Sequence, residues 1–296
     1  MRPTFLPLLA LLPLLAEPAA AAEPPAANDR LAAALGLADD FLASGDPAAA
    51  ALEYRRLAAD LDDAALRPGL HLLAAEAYRR GGDWSRMERM LDKAEDGGAG
   101  ADPATAFLRL RLAEGRSEWI SAMLYAETLE TAADRAGDAT LRRFAAGARA
   151  ADALLAGRAD EARAAVRGDA DKLRLVEDYA AGSDKSPTVG GLLGIVPGLG
   201  YAYSGEWSNM VRSMVLNGLF GWAMFECADR EEWGLFAVTT FFELTWYTGS
   251  IYGGIDAAHR YNRERLENAA AALRDRPVPS VGRAPGVPLL GVRLEF

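Results

Sequence analysis

A glycine followed by a polar residue closes one amphipathic helical pattern and opens the next at four places, Gly45, Gly82, Gly115 and Gly157. Between these points apolar residues recur at helical spacing, and no stretch of any length alternates as a strand would. In 52–61 (LEYRRLAADL), Leu52, Leu57 and Leu61 share one side while Arg55, Arg56 and Asp60 lie elsewhere. A chain punctuated this way can fold only by stacking short helices. Composition agrees, since alanine is abundant and 29 arginines stand against three lysines; alanine and arginine are among the best helix formers. Helix starts are marked as well. Asp46-Pro47 and Asp102-Pro103 put an acceptor before a proline at the first helical position, and Ser117 precedes Glu118 and Trp119 in a similar way.

The local words ASGDPAAAALEY, RRGGDWSRMERML, AEGRSEWISAML and LAGRADEARAAV share a scheme: helix, glycine and polar residue, helix with small side chains. This resembles the tetratricopeptide repeat over residues 28–165, although the spacing drifts and most of the family's Trp and Pro positions are absent. The resemblance implies stacked helix pairs over 28–180 and a concave groove that binds a protein segment. Tyr54, Tyr78, Trp84, Trp119 and Tyr125 are candidates to line that groove, and equally candidates for the core.

Residues 1–22 read as a secretory signal peptide: Arg2, an apolar stretch too short to span a bilayer, then Ala20–Ala22 before Glu23. A charged-to-apolar change at 182–187 (GSDKSP) opens a second region, 186–255, that reads as a small α-helical transmembrane domain. Its candidate spans are 188–203, 209–226 and 233–255, with the first short or re-entrant. Starting outside the cytoplasm, three spans put the basic segment 259–265 (HRYNRER) inside, as the positive-inside tendency prefers. Glu243 falls inside a span, where a carboxylate is expensive and usually paired. Matching depths across a hairpin gives Asn217 as its hydrogen-bonding partner.

The words PGLGYAYSG (197–205) and FFELTWYTGSIYGGIDAAHRYNR (241–263) resemble the small two-transmembrane domain families of bacteria marked by PGxGxxYxG. Pro197, Gly198, Gly200, Tyr203 and Gly205 carry the motif, and Tyr201 stands where those families usually have Gln. The resemblance implies no catalytic residue, and its association with tetratricopeptide repeats implies a membrane-tethered adaptor. A phosphate-binding glycine loop would need Lys and Ser/Thr after its last glycine; Glu206 and Trp207 stand there instead.

Residues 256–276 read as an amphipathic helix able to lie on a lipid surface, and 277–296 as a disordered tail. Its last residues, LLGVRLEF, alternate apolar side chains and resemble the recognition signal of outer-membrane β-barrels. A net charge of −10 excludes a general nucleic-acid binder. One cysteine, Cys227, and two histidines, His71 and His259, leave no constellation for a disulfide framework, a metal site or a nucleophilic triad. The expectation is therefore an all-α chain with no cofactor and no enzymatic role. It would be a scaffold of the bacterial inner membrane, its repeats in the periplasm, holding a protein partner beside the lipid. The alternative is a homo-oligomeric transport or channel subunit that uses Glu243 and Asn217.

Overall fold

The computed structural model describes residues 27–275, 279–283 and 292–295. The leader 1–22 lies outside them. The described chain is all-helical apart from one short two-stranded ribbon. Nine helices form the array: α1 (Ala27–Ala43), α2 (Pro47–Asp60), α3 (Arg67–Arg80), α4 (Trp84–Asp96), α5 (Pro103–Gly115), α6 (Trp119–Ala136), α7 (Ala139–Leu155), α8 (Ala159–Ala165) and α9 (Ala170–Ala181). Each packs on the next, and α3 also lies against α5.

One turn recurs at several junctions between these helices. A residue in the left-handed region is followed by one whose N–H donates to the carbonyl five residues back, the hydrogen bond that ends a Schellman cap. Gly45 (φ +83°), Gly82 (+71°) and Gly157 (+74°) hold the left-handed position. The bonds run from Asp46 to Phe41, Asp83 to Tyr78 and Arg158 to Ala153, at 2.8, 3.0 and 2.8 Å. Gly115 does not belong to this set. It ends α5, and the left-handed residue is Ser117 (φ +60°), with Glu118 donating to Ala113 at 2.9 Å. Gly115 serves packing instead: a β-carbon there would come within 2.7 Å of the Trp84 indole. The acid after the glycine also caps the next helix. Asp46 accepts from the Ala49 N–H and Asp83 from the Arg86 N–H.

The second region is not three spans. Residues 188–203 form two short helices, α10 (Pro187–Leu193) and α11 (Leu199–Tyr203), folded against a later helix. Then α12 (Trp207–Asp229, 23 residues) and α13 (Trp233–Leu273, 41 residues) make an antiparallel hairpin. The same turn closes it: Glu231 (φ +59°) is left-handed, and Glu232 donates to Cys227 at 2.9 Å. No helix among the described residues is long and apolar enough to cross a membrane. Arg212, Asn217 and Glu226 interrupt α12, and Glu243 with several threonines interrupts the start of α13.

The separate amphipathic helix expected at 256–276 is the continuation of α13, which runs about 60 Å at 1.5 Å per residue. Its first part pairs with α12, its middle with α10 and α11, and its end with α7 and α9. That last contact overturns the three-crossing topology. The chain leaves the array at α9 and returns to α7 and α9, so both arms of the hairpin start from the same end. Ala270 and Leu273 are buried in a core shared with Ala150, Leu154, Val166 and Val176. The tail also departs from expectation. Its described residues form β1 (Ser280–Arg283) and β2 (Val292–Glu295), paired antiparallel with Val281 opposite Leu294.

Candidate functional site

The glycine motif is the joint between array and hairpin. Gly190 of α10, Gly200 of α11 and Gly254 of α13 meet backbone to backbone. A β-carbon on Gly200 would lie 2.5 Å from the Gly190 carbonyl oxygen and 2.7 Å from the Gly254 Cα. Pro197 leads into Gly198, which is left-handed (φ +91°) and donates its N–H to Ser250 Oγ at 3.1 Å. Ser250 is buried and also lies 3.1 Å from Ser213 Oγ, so one hydroxyl ties α11, α12 and α13 together. The Tyr203 hydroxyl accepts from the Ser186 N–H at 3.0 Å, and Gly205 (φ +81°) provides the turn into α12. Tyr201 lies across Gly253, where any side chain would collide with its ring. Gly198 and Gly205 hold left-handed backbone angles and Gly200 makes a close backbone approach, conformations that a larger side chain would strain.

Charged and aromatic groups ring the base of the hairpin. Lys185 sits over the Tyr203 and Tyr261 rings at 4.8 and 5.5 Å. Glu206 accepts both N–H groups of the Arg260 fork at 2.8 and 2.9 Å. Beside the Glu206–Arg260 pair opens a polar cleft of about 470 Å³ lined by Glu206, Trp207, Asn209, Arg260, Tyr261 and Glu264.

Above the base the hairpin is apolar on its outer faces. Trp222, Phe225, Trp233, Phe241, Leu244 and Tyr252 are each more than 60% exposed. A helix that is apolar beyond one stripe is normally covered, and patches this extensive do not stay bare in water. Trp207 and Trp233 mark the two ends of this surface.

Asn217 and Glu243 do not bond to each other. The Ser213–Ser250 contact and the stacked Phe220–Phe242 rings, 6.4 Å apart, set the register of the hairpin. Glu243 therefore comes level with Phe220, about one helical turn (~5 Å) nearer the tip than Asn217. The Asn217 amide instead donates to the Ser213 carbonyl of its own helix at 2.7 Å. Asn217 Oδ1 and Glu243 Oε2 are both buried and have no hydrogen-bond partner among the described residues.

The aromatic residues proposed to line a groove are not gathered into one. Tyr54 is fully buried and donates to Asp39 at 2.6 Å. Tyr78 is buried and accepts from Arg55 at 2.9 Å, while Trp84 covers Gly115 and Tyr125 packs on the core from α6. Trp119 opens α6, half-buried.

Two charged groups escaped the sequence reading because their members are far apart in the chain. Arg274, just past α13, pairs with Asp152 of α7 at 2.7 Å and Glu114 of α5 at 3.2 Å, and beside it Lys172 of α9 pairs with Asp275 at 2.7 Å. Asp152 is fully buried. Burial, with the Glu114 carboxylate beside it, pushes its pKa up to about 7 against the pull of Arg274 and Arg111. The second group is a cleft of about 610 Å³ between α2, α3 and α4, lined by Arg55, Arg67, His71 and Lys93 among others. There, burial and then the three cations lower the His71 pKa.

Among the described residues no group of three or more His, Cys, Asp or Glu side chains is placed to hold a metal ion. Comparison with family models, curated proteins and solved structures finds no match to this chain.

Proposed function

We propose that this chain is a membrane-tethered adaptor of the bacterial envelope. Its tetratricopeptide-like helical array holds a protein segment, and the α12–α13 hairpin beds in lipid. The observation that supports the tether is the apolar outer surface of the hairpin, bounded by Trp207 and Trp233. No helix among the described residues is long and apolar enough to cross a membrane, so the hairpin is read as bedding its apolar surface in the lipid and not as crossing it. Tryptophan at the two ends and a basic, tyrosine-bearing base are the features an interfacial belt uses. The joint supports the adaptor reading, because α13 is one unbroken helix from the apolar surface into the core of the array. A rigid link of that kind fixes a docked segment at a set height and orientation above the lipid.

In this reading both arms of the hairpin leave from the array, so the array and residues 259–265 stand on the same face of the membrane. With a secretory leader that face is the periplasmic one. The work proposed is binding, without a cofactor or a catalytic step.

The experiment is flotation of the purified full chain with liposomes, followed by cross-linking in intact cells. The chain should rise with the vesicles, and deletion of 28–165 should abolish a reproducible cross-link to an envelope protein. Failure to float at any lipid composition would remove the tether.

A second reading has one observation in its favour. The exposed apolar surface of the hairpin would also be covered by other copies of the chain, whose packing would have to open the hairpin before donors could reach Asn217 Oδ1 and Glu243 Oε2. A homo-oligomeric membrane assembly, with transport as its purpose, would appear as a defined oligomer in native mass spectrometry from detergent.

A further inference from the structure

The chain covers part of its own helical array. After α13 is clasped by Asp152, Glu114 and Lys172, its continuation runs onto the face where α3 and α5 lie side by side. There β1 packs on α3, and β2 packs on α5 and α3. Pro279 is buried, and Val281 is 3% exposed within the main core of the array. Leu294, directly opposite Val281 in the ribbon, packs against the same core. Residues paired across an antiparallel ladder point to the same side, so the ribbon offers one apolar cross-strand pair to the helices. The seat is not filled. A cleft of about 400 Å³ remains beside Val281, on the side of α3 that faces α1 and α2, walled by Asp39, Tyr54, Leu73, Glu76 and Arg80.

We infer that the α3–α5 face is the segment-binding site of the array and that the C-terminal ribbon is its built-in occupant, so a partner segment must displace the tail to bind. The inference rests on the adaptor reading and adds its regulation. It also fixes the chemistry of the partner: an extended segment with apolar side chains at alternate positions, entering beside Tyr54 and Leu73. The β1–β2 ladder pairs one edge of each strand, and Val281 and Leu294 carry the ribbon onto the core of the array. Among the described residues Val281 and Leu294 are the ribbon side chains that pack on the core, and a two-stranded ribbon is marginal by itself, so such an occupant can be exchanged. The Arg274 and Asp275 clasp keeps the tail near the face after release, giving it a high effective concentration against a competitor.

The test uses the full chain in detergent and a fluorescent peptide of residues 278–296 as the probe. Wild-type protein, its face already covered, should bind the peptide weakly. The full chain carrying Val281→Asp and Leu294→Asp should bind it at least tenfold more tightly, and a peptide with the same two substitutions should bind neither protein. Equal binding to both chains, or binding to neither, would overturn the inference. If the double variant fails to fold by circular dichroism, Val281→Ser alone serves, with a smaller gain in the same direction. The adaptor reading is judged separately, by the cross-link that depends on 28–165. A cross-link that persists while the peptide fails would end self-occupancy and leave the adaptor standing.

Discussion

The guanidinium of Arg274 lies 2.7 Å from the carboxylate of Asp152, joining residues 122 positions apart. This pair closes the far end of α13 onto α7, and Glu114 makes it a triad. A buried pair of this kind contributes little net stability when intact, but breaking it leaves an uncompensated charge. Arg274→Ala should therefore destabilise the array–hairpin junction by about 3–5 kcal/mol at pH 8. The loss should shrink at pH 5, where Asp152 takes up a proton and no longer needs the cation. Thermal melting at the two pH values measures it, and an equal loss at both would be wrong for this account.

Asp152 itself gives the pH dependence and its sign. Its pKa is raised in the folded chain from the ordinary 3.8 to about 7. The folded state therefore holds a proton that the unfolded state has released between those values. The contribution of this group is full below pH 3.8, declines as pH rises toward 7, and is flat above. Asp152→Asn removes the titration while keeping the shape. Its melting temperature should lose that decline between pH 5 and 7.5, and should equal or exceed the wild type at pH 8. A variant that kept the wild-type slope would assign the titration to another group.

The glycines separate cleanly by what surrounds them. Gly254 meets Gly190 and Gly200 at backbone contact, whereas Gly249, five residues earlier on the same helix, has open space around it. Gly254→Ala should force α10 and α11 away from α13, at a cost of about 1–3 kcal/mol. Gly249→Ala should be neutral or stabilising by up to ~1 kcal/mol, because a helix interior favours alanine. Limited proteolysis across 182–206 reads the opening directly. Cleavage should rise in the first variant and not in the second.

The turns show where sequence reading works and where it stops. Gly45, Gly82 and Gly157 were legible, because glycine is the residue the left-handed position favours. Ser117 and Glu231 hold the same conformation and were not legible, because the turn is enforced by the hydrogen bond from the following residue and tolerates a strained side chain. Gly115 lies next to such a turn, but its lack of a side chain serves packing under Trp84 and not the left-handed angle. The helices of the array follow from caps and periodicity, which are local. The unbroken α13 does not: its composition changes near 256 from apolar to charged, and that change reflects what covers the helix, not where it ends. Asn217 and Glu243 are legible as polar residues in an apolar hairpin, but a register difference of two or three residues is enough to unpair them. The ribbon at 280–295 was hinted at only by the alternation after 290, since its partner strand is short and broken by glycine. Ser117→Gly tests the turn argument. Relief of left-handed strain, offset by the greater freedom of glycine in the unfolded chain, should leave a net gain of ~0.5 kcal/mol, read by chemical denaturation. A loss would mean that Ser117 makes a contact worth more than its strain.

The hairpin surface carries the largest consequence for function. Phe225 near the tip of α12 and Phe241 on α13 are 70% and 68% exposed, and neither supports a neighbour in the array. Replacing both with lysine places two charges on a surface proposed to face hydrocarbon. A charge on a surface that meets hydrocarbon is disfavoured, so each lysine should weaken the contact with lipid. The fold of the array should survive, since its core is separate and the joint glycines are untouched. Liposome flotation should then fall from near-complete to near-absent while the far-ultraviolet circular dichroism is unchanged. If flotation persists, the apolar surface is not what meets the lipid. If wild-type protein fails to float but sediments as a discrete oligomer that the lysines dissolve, the surface is covered by copies of the same chain. Asn217 and Glu243 would then lie behind the interface, reached only if the assembly opens the hairpin, and the transport reading would replace the tether.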